Sequence, residues 1–76
     1  MATYANLRAH REALGWSIPE LISKLEGAAI SERSVRRLED GYGIRPESAH
    51  KIFNAISKCY HEPLVREDNV KVVVSE

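Results

Sequence analysis

The stretch that decides the fold runs from Ser17 to Gly41 and reads SIPELISKLEGAAISERSVRRLEDG. Ser17 followed by Glu20 is a capping box, in which a hydroxyl and a carboxylate each accept a hydrogen bond from a backbone N–H at a helix start. Apolar residues then recur at spacings of three and four, which gives one buried side: Ile18, Leu21, Ile22 and Leu25. The pattern predicts a helix that begins at Ile18.

A second helix is predicted after a connection that contains glycine. Ser31 is a suitable N-cap, and Val35 with Leu38 supplies a buried side. Gly41 can adopt the left-handed conformation that ends a helix. Two short helices joined in this way predict a helix-turn-helix.

The outward face of the second helix carries two arginines. With steps of about 100° per residue, placing Val35 at the core puts Arg33 about 160° and Arg37 about 200° away. Other polar residues flank this pair or lie nearer the core edge: Ser34, Arg36, Glu32 and Glu39. Guanidinium groups one turn apart can bind guanine edges or phosphates in a DNA major groove. A charged face that is merely solvated is the alternative.

The ordered set of residues resembles the lambda-repressor/Cro-like helix-turn-helix family, also called XRE type. The resemblance covers about residues 5 to 58 and rests on Leu7–Arg8, Arg11–Glu12, Gly15–Trp16–Ser17, Glu20–Leu21, Lys24–Leu25, Ile30–Ser31, Ser34–Val35, Arg37–Leu38–Glu39 and Gly41. It implies that the second helix of the pair is the recognition helix, whose N-terminal half faces base edges while the preceding helix crosses the DNA backbone.

The residue pattern and the resemblance together predict a DNA-binding set: Ser17, Ser31, Glu32, Arg33, Ser34, Arg36, Arg37, Tyr42 and Arg45. By resemblance, four of these face bases: Glu32, Arg33, Ser34 and Arg37. Ser17 is expected near a phosphate, because free N–H groups at a helix start favour an anion. Tyr42 and Arg45 follow the recognition helix and are placed to touch a phosphate, with ordinary loop residues as the alternative.

The chain departs from the family pattern at two places. Residues 26–29 stand where the family has a single glycine, and Ile18 replaces a polar residue that the family uses on the phosphate backbone. The resemblance also implies a bidentate, partly buried ion pair between Arg11 of the first helix and Glu39. That pair would tie the first helix to the recognition helix.

Two further helices complete the predicted scaffold. The first covers residues 5–14, with Tyr4 or Ala5 beginning its buried side and Gly15 closing it. The last opens at Pro46 and runs to about Lys58. The predicted core consists of Leu7, Trp16, Leu21, Leu25, Val35, Leu38, Ile52 and Ile56.

Composition bounds the class of protein. The 76 residues make one domain with a small core, and the single cysteine, Cys59, excludes an intramolecular disulfide. The sequence has no run of about 18 apolar residues and no signal region, so a cytoplasmic protein without a membrane partner is expected. It also lacks a nucleophile–base pair, a metal-ligand set and a phosphate loop. We therefore expect neither an enzyme nor a cofactor.

The charge balance argues against nucleic acid. Eleven basic and eleven acidic residues give a formal net charge of zero, whereas affinity for DNA depends on neutralised phosphates. The distribution of charge offsets the net charge of zero, because basic residues cluster in and after the recognition helix while acidic residues cluster in the tail. A protein-interaction module that retains the fold without DNA binding is the alternative function.

The tail beyond Pro63 contains a β-branched run: Val70, Val72, Val73 and Val74. A lone strand needs a partner, and the same strand of a second copy is the simplest one in so small a chain. A frayed tail, or the stub of a longer protein, is the alternative. Since the predicted core lies upstream, a chain cut after Glu67 is expected to remain a folded monomer.

The sequence thus predicts an all-α, lambda-repressor-like domain of four or five helices at residues 1–60. Residues 61–76 form a tail whose strand could serve dimerisation. The predicted function is sequence-specific binding of double-stranded DNA by a homodimer at a pseudo-palindromic operator. Such a protein would regulate transcription, as a phage-type or antitoxin-like repressor, and a toxin or another regulator could be its protein partner.

Overall fold

A computed structural model describes residues 1–25 and 30–72. These residues form five helices and a small two-stranded sheet, in the order β1 (Ala2–Tyr4), α1 (Leu7–Ala13), α2 (Ile18–Ser23), α3 (Glu32–Glu39), α4 (Pro46–Cys59), α5 (Arg66–Asn69) and β2 (Val70–Val72). The predicted helical class is confirmed, with a sheet added to it. Of the described helices, none has the length and apolar character that a membrane crossing requires.

The helix ends follow the local sequence signals. The Ser17 hydroxyl accepts a hydrogen bond from the Glu20 N–H at 3.3 Å, and α2 begins at the next residue. The Ser31 hydroxyl accepts one from the Ser34 N–H, also at 3.3 Å, and α3 follows it. After α3, Gly41 has a φ of +92°, where a side chain would be strained. The predicted start of α2 and the predicted limits of α3 are therefore confirmed. Helix α2 ends at Ser23, so Leu25 of the predicted apolar stripe lies beyond the helix, although it is buried in the core.

The N-terminus differs from the prediction. Residues 2–4 form strand β1, and α1 begins only at Leu7. Ala2 and Tyr4 are buried while Thr3 between them is not, which is the alternation of a strand with one face on the core. Tyr4 is therefore a core residue of the sheet and not the first residue of a helical face.

The C-terminal strand is confirmed at Val70–Val72, but its partner lies in the same chain. Strand β2 runs antiparallel to β1, with Tyr4 opposite Val70 and Ala2 opposite Val72. Val70 is only 5% exposed and belongs to the main core. This corrects the expectation that the core lies entirely upstream of Glu67. The rest of the predicted valine run, residues 73 and 74, lies outside the described residues.

One apolar core joins the sheet to the four longer helices. It contains seven of the eight predicted residues: Leu7, Leu21, Leu25, Val35, Leu38, Ile52 and Ile56. Trp16, the eighth, is only partly buried and packs against the core from outside. The prediction also missed Ile44, whose backbone exchanges hydrogen bonds of 2.7 and 2.9 Å with Ala2 on the free side of β1.

Asn69 fixes the tail to the start of α1. Its side-chain oxygen accepts a hydrogen bond from Asn6 Nδ2 at 2.8 Å, and its own Nδ2 donates to the Val65 carbonyl at 2.9 Å. The Asn69 carbonyl accepts from the Ala5 N–H at 3.2 Å. Asn69 is 7% exposed, so these bonds satisfy polar groups that have little access to water.

A buried tyrosine and a histidine connect β1 to α1. The Tyr4 hydroxyl lies 2.7 Å from His10 Nδ1. Burial raises the pKa of the Tyr4 phenol above its usual range, and the nearby Tyr60 raises it further. The Tyr4 phenol therefore stays protonated, and it donates to Nδ1 when the neutral His10 ring carries its proton on Nε2. Burial also lowers the pKa of His10, because it disfavours the imidazolium.

This contact predicts a loss of stability in acid. A histidine whose pKa is lowered by folding contributes stability that is complete above its unfolded value of about 6.5 and is lost as the pH falls through the folded value. We expect the melting temperature to fall more steeply between about pH 7.5 and pH 5 in the natural chain than in His10→Gln. Circular dichroism melts at both pH values test this. Parallel pH dependence of the two proteins would contradict it.

Candidate nucleic-acid interface

The position of α3 is fixed by a buried ion pair. Arg11 donates from Nε at 2.9 Å to Glu39 Oε1, its Nη2 lies 2.8 Å from the same oxygen, and its Nη1 donates to the Trp16 carbonyl at 2.7 Å. The two side chains are 11% and 7% exposed. The predicted pair is confirmed, although both contacts end on one carboxylate oxygen. It ties α1 and the connection to α2 against α3, and it occupies Glu39.

The outer face of α3 carries the arginines, as the helical pattern predicts. Val35 and Leu38 are buried, while Arg33, Arg36 and Arg37 are exposed. A hollow of about 330 Å³ lies on this face, lined by Glu32, Arg33, Arg36, Arg37 and Asp40. The structure thus brings four of the predicted residues into one surface feature.

The arginines of this face keep their donors available. Within residues 1–25 and 30–72, no carboxylate lies within salt-bridge distance of Arg33, Arg36 or Arg37. The guanidinium carbon of Arg37 lies 5.3 Å from the centroid of the Tyr42 ring, a cation–π contact that leaves the edges of the guanidinium free. Arg45 is also exposed and unpaired in the described part of the chain.

A second hollow of about 250 Å³ lies where α1, α2 and α3 meet. Its lining residues are Arg8, Arg11, Ile18, Arg36, Glu39 and Asp40. Ile18 and Arg36 both line this hollow, so an apolar side chain and an exposed cation share it. Of the other two arginines that line it, Arg11 is held by Glu39, and Arg8 pairs at 3.4 Å with the exposed Glu12.

The remaining predicted residues lie outside the first hollow. The hydroxyls of Ser17 and Ser31 cap α2 and α3, and both residues are exposed. Ser34 is half-buried, with its hydroxyl 3.3 Å from that of Ser31. Arg45 precedes Pro46 at the start of α4. None of these residues lines the hollow.

Five residues that line the hollows are absent from the predicted DNA-binding set: Asp40, Arg8, Arg11, Ile18 and Glu39. Extending the 100° step to Asp40 places it about 140° from Val35, between Arg36 and Arg33, so the helical pattern contained that signal. Arg8 lies on a different helix, and only the packing of α1 against α3 brings it to this surface. The connection at residues 26–29, where the chain departs from the family pattern, lies outside the described residues.

Comparison of the chain with protein-family models, curated proteins and solved structures finds no match. Within the described residues, no group of three or more histidine, cysteine or acidic side chains is arranged to hold a metal ion. Cys59 is a free, exposed thiol at the end of α4. The candidate site is therefore the arginine face of α3, formed by the exposed Arg33, Arg36 and Arg37.

Proposed function

We propose that this chain binds double-stranded DNA sequence-specifically and regulates transcription by occupying an operator. Three exposed guanidinium groups on the outer face of α3, without a carboxylate partner in the described residues, carry the proposal. Guanidinium groups bind guanine edges and phosphates, both of which are exposed in a major groove. The resemblance of the sequence to lambda-repressor/Cro-like proteins supports the same function.

The dimensions of α3 suit a major groove. With its side chains an α-helix is about 10–12 Å in diameter, and a B-DNA major groove is about 12 Å wide. The Arg11–Glu39 pair and the Ser31 cap hold this helix rigidly on the scaffold. A fixed helix loses little conformational freedom on binding, which favours affinity. Ser17 and Arg45, which are exposed at the starts of α2 and α4, are assigned to phosphates.

The proposal includes a homodimer, because one short helix makes few base contacts. Two copies would place recognition helices about 34 Å apart, in successive major grooves of a pseudo-palindrome. We assign the dimer contact to the outer edge of β2. In the described residues β2 has one partner strand, and Val72 on it is 56% exposed. Pairing with the β2 strand of a second copy would cover that edge.

Sedimentation of a substituted chain tests the dimer. Val72→Lys is expected to give a monomer at micromolar concentration, since a charge on the edge strand opposes pairing between strands. Val65→Lys is the matched control, because Val65 is 50% exposed but lies outside the strand. A natural chain that sediments as a monomer, or a Val72→Lys dimer, would contradict the assignment.

Two arginine substitutions separate base recognition from backbone contact. Arg33→Ala is expected to weaken a specific site by about 1–3 kcal/mol and to relax preference at one base pair. Arg45→Ala should weaken binding to all duplexes alike. It should also reduce the slope of log affinity against log salt concentration by about one unit, because it removes one phosphate contact. Binding titrations at several salt concentrations measure both effects. Equal losses on specific and random duplexes for the two variants would contradict the assignment.

Selection from a pool of random duplexes with the full chain tests the proposed function. We expect enrichment of an inverted repeat whose half-sites lie about 10 base pairs apart, centre to centre. A pool that shows no enriched sequence would overturn the proposal.

A protein-interaction module is the second candidate function. The net charge of zero favours it, as does the presence of Glu32 and Asp40 in the same hollow as the arginines. Such a surface offers complementary groups to a partner protein of mixed charge, such as a toxin or another regulator. Capture of a protein by the natural chain, but not by Arg33→Ala, together with no binding of duplex DNA, would favour this function.

A further inference from the structure

Tyr42 occupies a defined place directly after the recognition helix. Gly41 turns the chain in the left-handed conformation, and the Tyr42 N–H then donates to the Arg37 carbonyl at 2.9 Å. This bond belongs to the pattern that closes helices at a C-terminal glycine. The backbone of Tyr42 is therefore hydrogen-bonded to Arg37, and its ring contacts the side chain of that same residue.

The ring of Tyr42 constrains Arg37. The guanidinium carbon lies 5.3 Å from the ring centroid, although the tyrosine is 60% exposed. A guanidinium held over an aromatic ring has fewer conformations to lose when it binds, and its planar fork of N–H donors remains free. Arg33 and Arg36 have no such contact in the described residues. Arg37 is thus the most nearly preorganised donor of the arginine face.

The residues around Arg37 match one kind of base pair. Arginine donates two hydrogen bonds to N7 and O6 of guanine, and a carboxylate accepts one from N4 of cytosine. Glu32 and Asp40 supply carboxylates in the same hollow. Its five lining residues include neither asparagine nor glutamine, the side chains that bind adenine in a bidentate manner. The chemistry of the hollow therefore fits a G·C pair.

We infer that α3 reads a G·C base pair in each half-site through Arg37, and that Tyr42 positions Arg37 through its ring. This inference rests on the proposed DNA-binding function. Arg37 donates to guanine N7 and O6, while a carboxylate of the hollow accepts from the cytosine amino group. Tyr42 is a positioning residue, and its hydroxyl is not required for the preference.

The test uses the duplex enriched by the full chain, with each base pair replaced in turn. Arg37→Ala is expected to lose about 5- to 150-fold in affinity and to stop distinguishing G·C from A·T at one position of each half-site. Tyr42→Ala should weaken the preference at that same position, whereas Tyr42→Phe should retain it. Lys58→Ala is the matched control, because it removes an exposed basic residue of α4 and should keep every preference. Circular dichroism confirms that each variant is folded.

The outcomes separate this inference from the function on which it rests. If the full chain enriches no duplex, the proposed function fails and this inference fails with it. If a duplex is enriched but Arg37→Ala discriminates every base pair as the natural chain does, only the inference is overturned. Equal loss of preference in Tyr42→Phe and Tyr42→Ala would overturn the role of the ring and assign the contact to the hydroxyl.

Discussion

Replacing Glu39 with alanine is expected to lower the free energy of unfolding by about 3 kcal/mol, because it leaves a buried charge on Arg11 without its partner. The Arg11 side chain is 11% exposed and cannot recover full hydration in the folded state. Its remaining hydrogen bond, to the Trp16 carbonyl, does not neutralise the charge. Urea denaturation followed by circular dichroism measures the loss.

The chain contains a matched control for this substitution. Glu12 pairs with Arg8 at 3.4 Å, but both side chains are more than half exposed. Exposed ion pairs of this kind contribute about 0.3–0.5 kcal/mol to stability, so Glu12→Ala should hardly change the free energy of unfolding. Equal effects of Glu12→Ala and Glu39→Ala would show that burial does not distinguish the two pairs, and would contradict this interpretation.

Val70→Asp is expected to lower the free energy of unfolding by about 3–5 kcal/mol, which is enough to unfold much of so small a domain. Val70 is 5% exposed and lies opposite Tyr4 in the sheet, so a carboxylate there would be buried without a partner. Urea denaturation measures this loss as well. For the same reason, a chain cut after Glu67 should be largely unfolded, since it lacks both Val70 and the hydrogen-bonded Asn69.

Val65→Asp is the control for the buried aspartate. Val65 is 50% exposed, and the substitution retains the backbone carbonyl that accepts from Asn69. Val65→Asp should change the free energy of unfolding by no more than about 0.5 kcal/mol. If Val70→Asp is as stable as Val65→Asp, or if the shortened chain melts like the natural one, the tail is not part of the core.

The helices could be predicted because their signals are local. Ser17, Ser31 and Gly41 act on backbone groups within four residues, and the apolar spacing of α2 and α3 describes a single face. The outward position of Arg33 and Arg37 follows from the same geometry. These features require no knowledge of how distant segments pack.

The sheet could not be predicted in this way. Ala2 and Val72 pair across almost the whole chain, and each strand has only three residues, too few to show a clear alternation. A helix beginning at Ala5 and a helix beginning at Leu7 differ little in local propensity, so the pairing with β2 decides the outcome. The sequence alone therefore favours a second copy as the partner of the C-terminal strand, whereas the structure pairs that strand with β1.

Parts of the candidate site also depend on packing. Arg8 reaches the second hollow only because α1 packs against α3, and Arg37 meets Tyr42 only because Gly41 turns the chain back. A sequence shows which residues are charged and on which helical face they lie. The unpaired state of the arginines depends on where the carboxylates are, and Glu39 is occupied by a residue 28 positions away.

The most direct test of DNA recognition through α3 is a binding titration of a fluorescent duplex. The natural chain and a double variant that carries both Arg33→Ala and Arg37→Ala are compared. Each is titrated with the enriched duplex and with a shuffled duplex at the same salt concentration. We predict that the natural chain prefers the enriched duplex by about a thousandfold or more, and that the double variant loses most of this preference while remaining folded. Equal affinity of the natural chain for the two duplexes, or an unchanged preference in the double variant, would contradict recognition through α3.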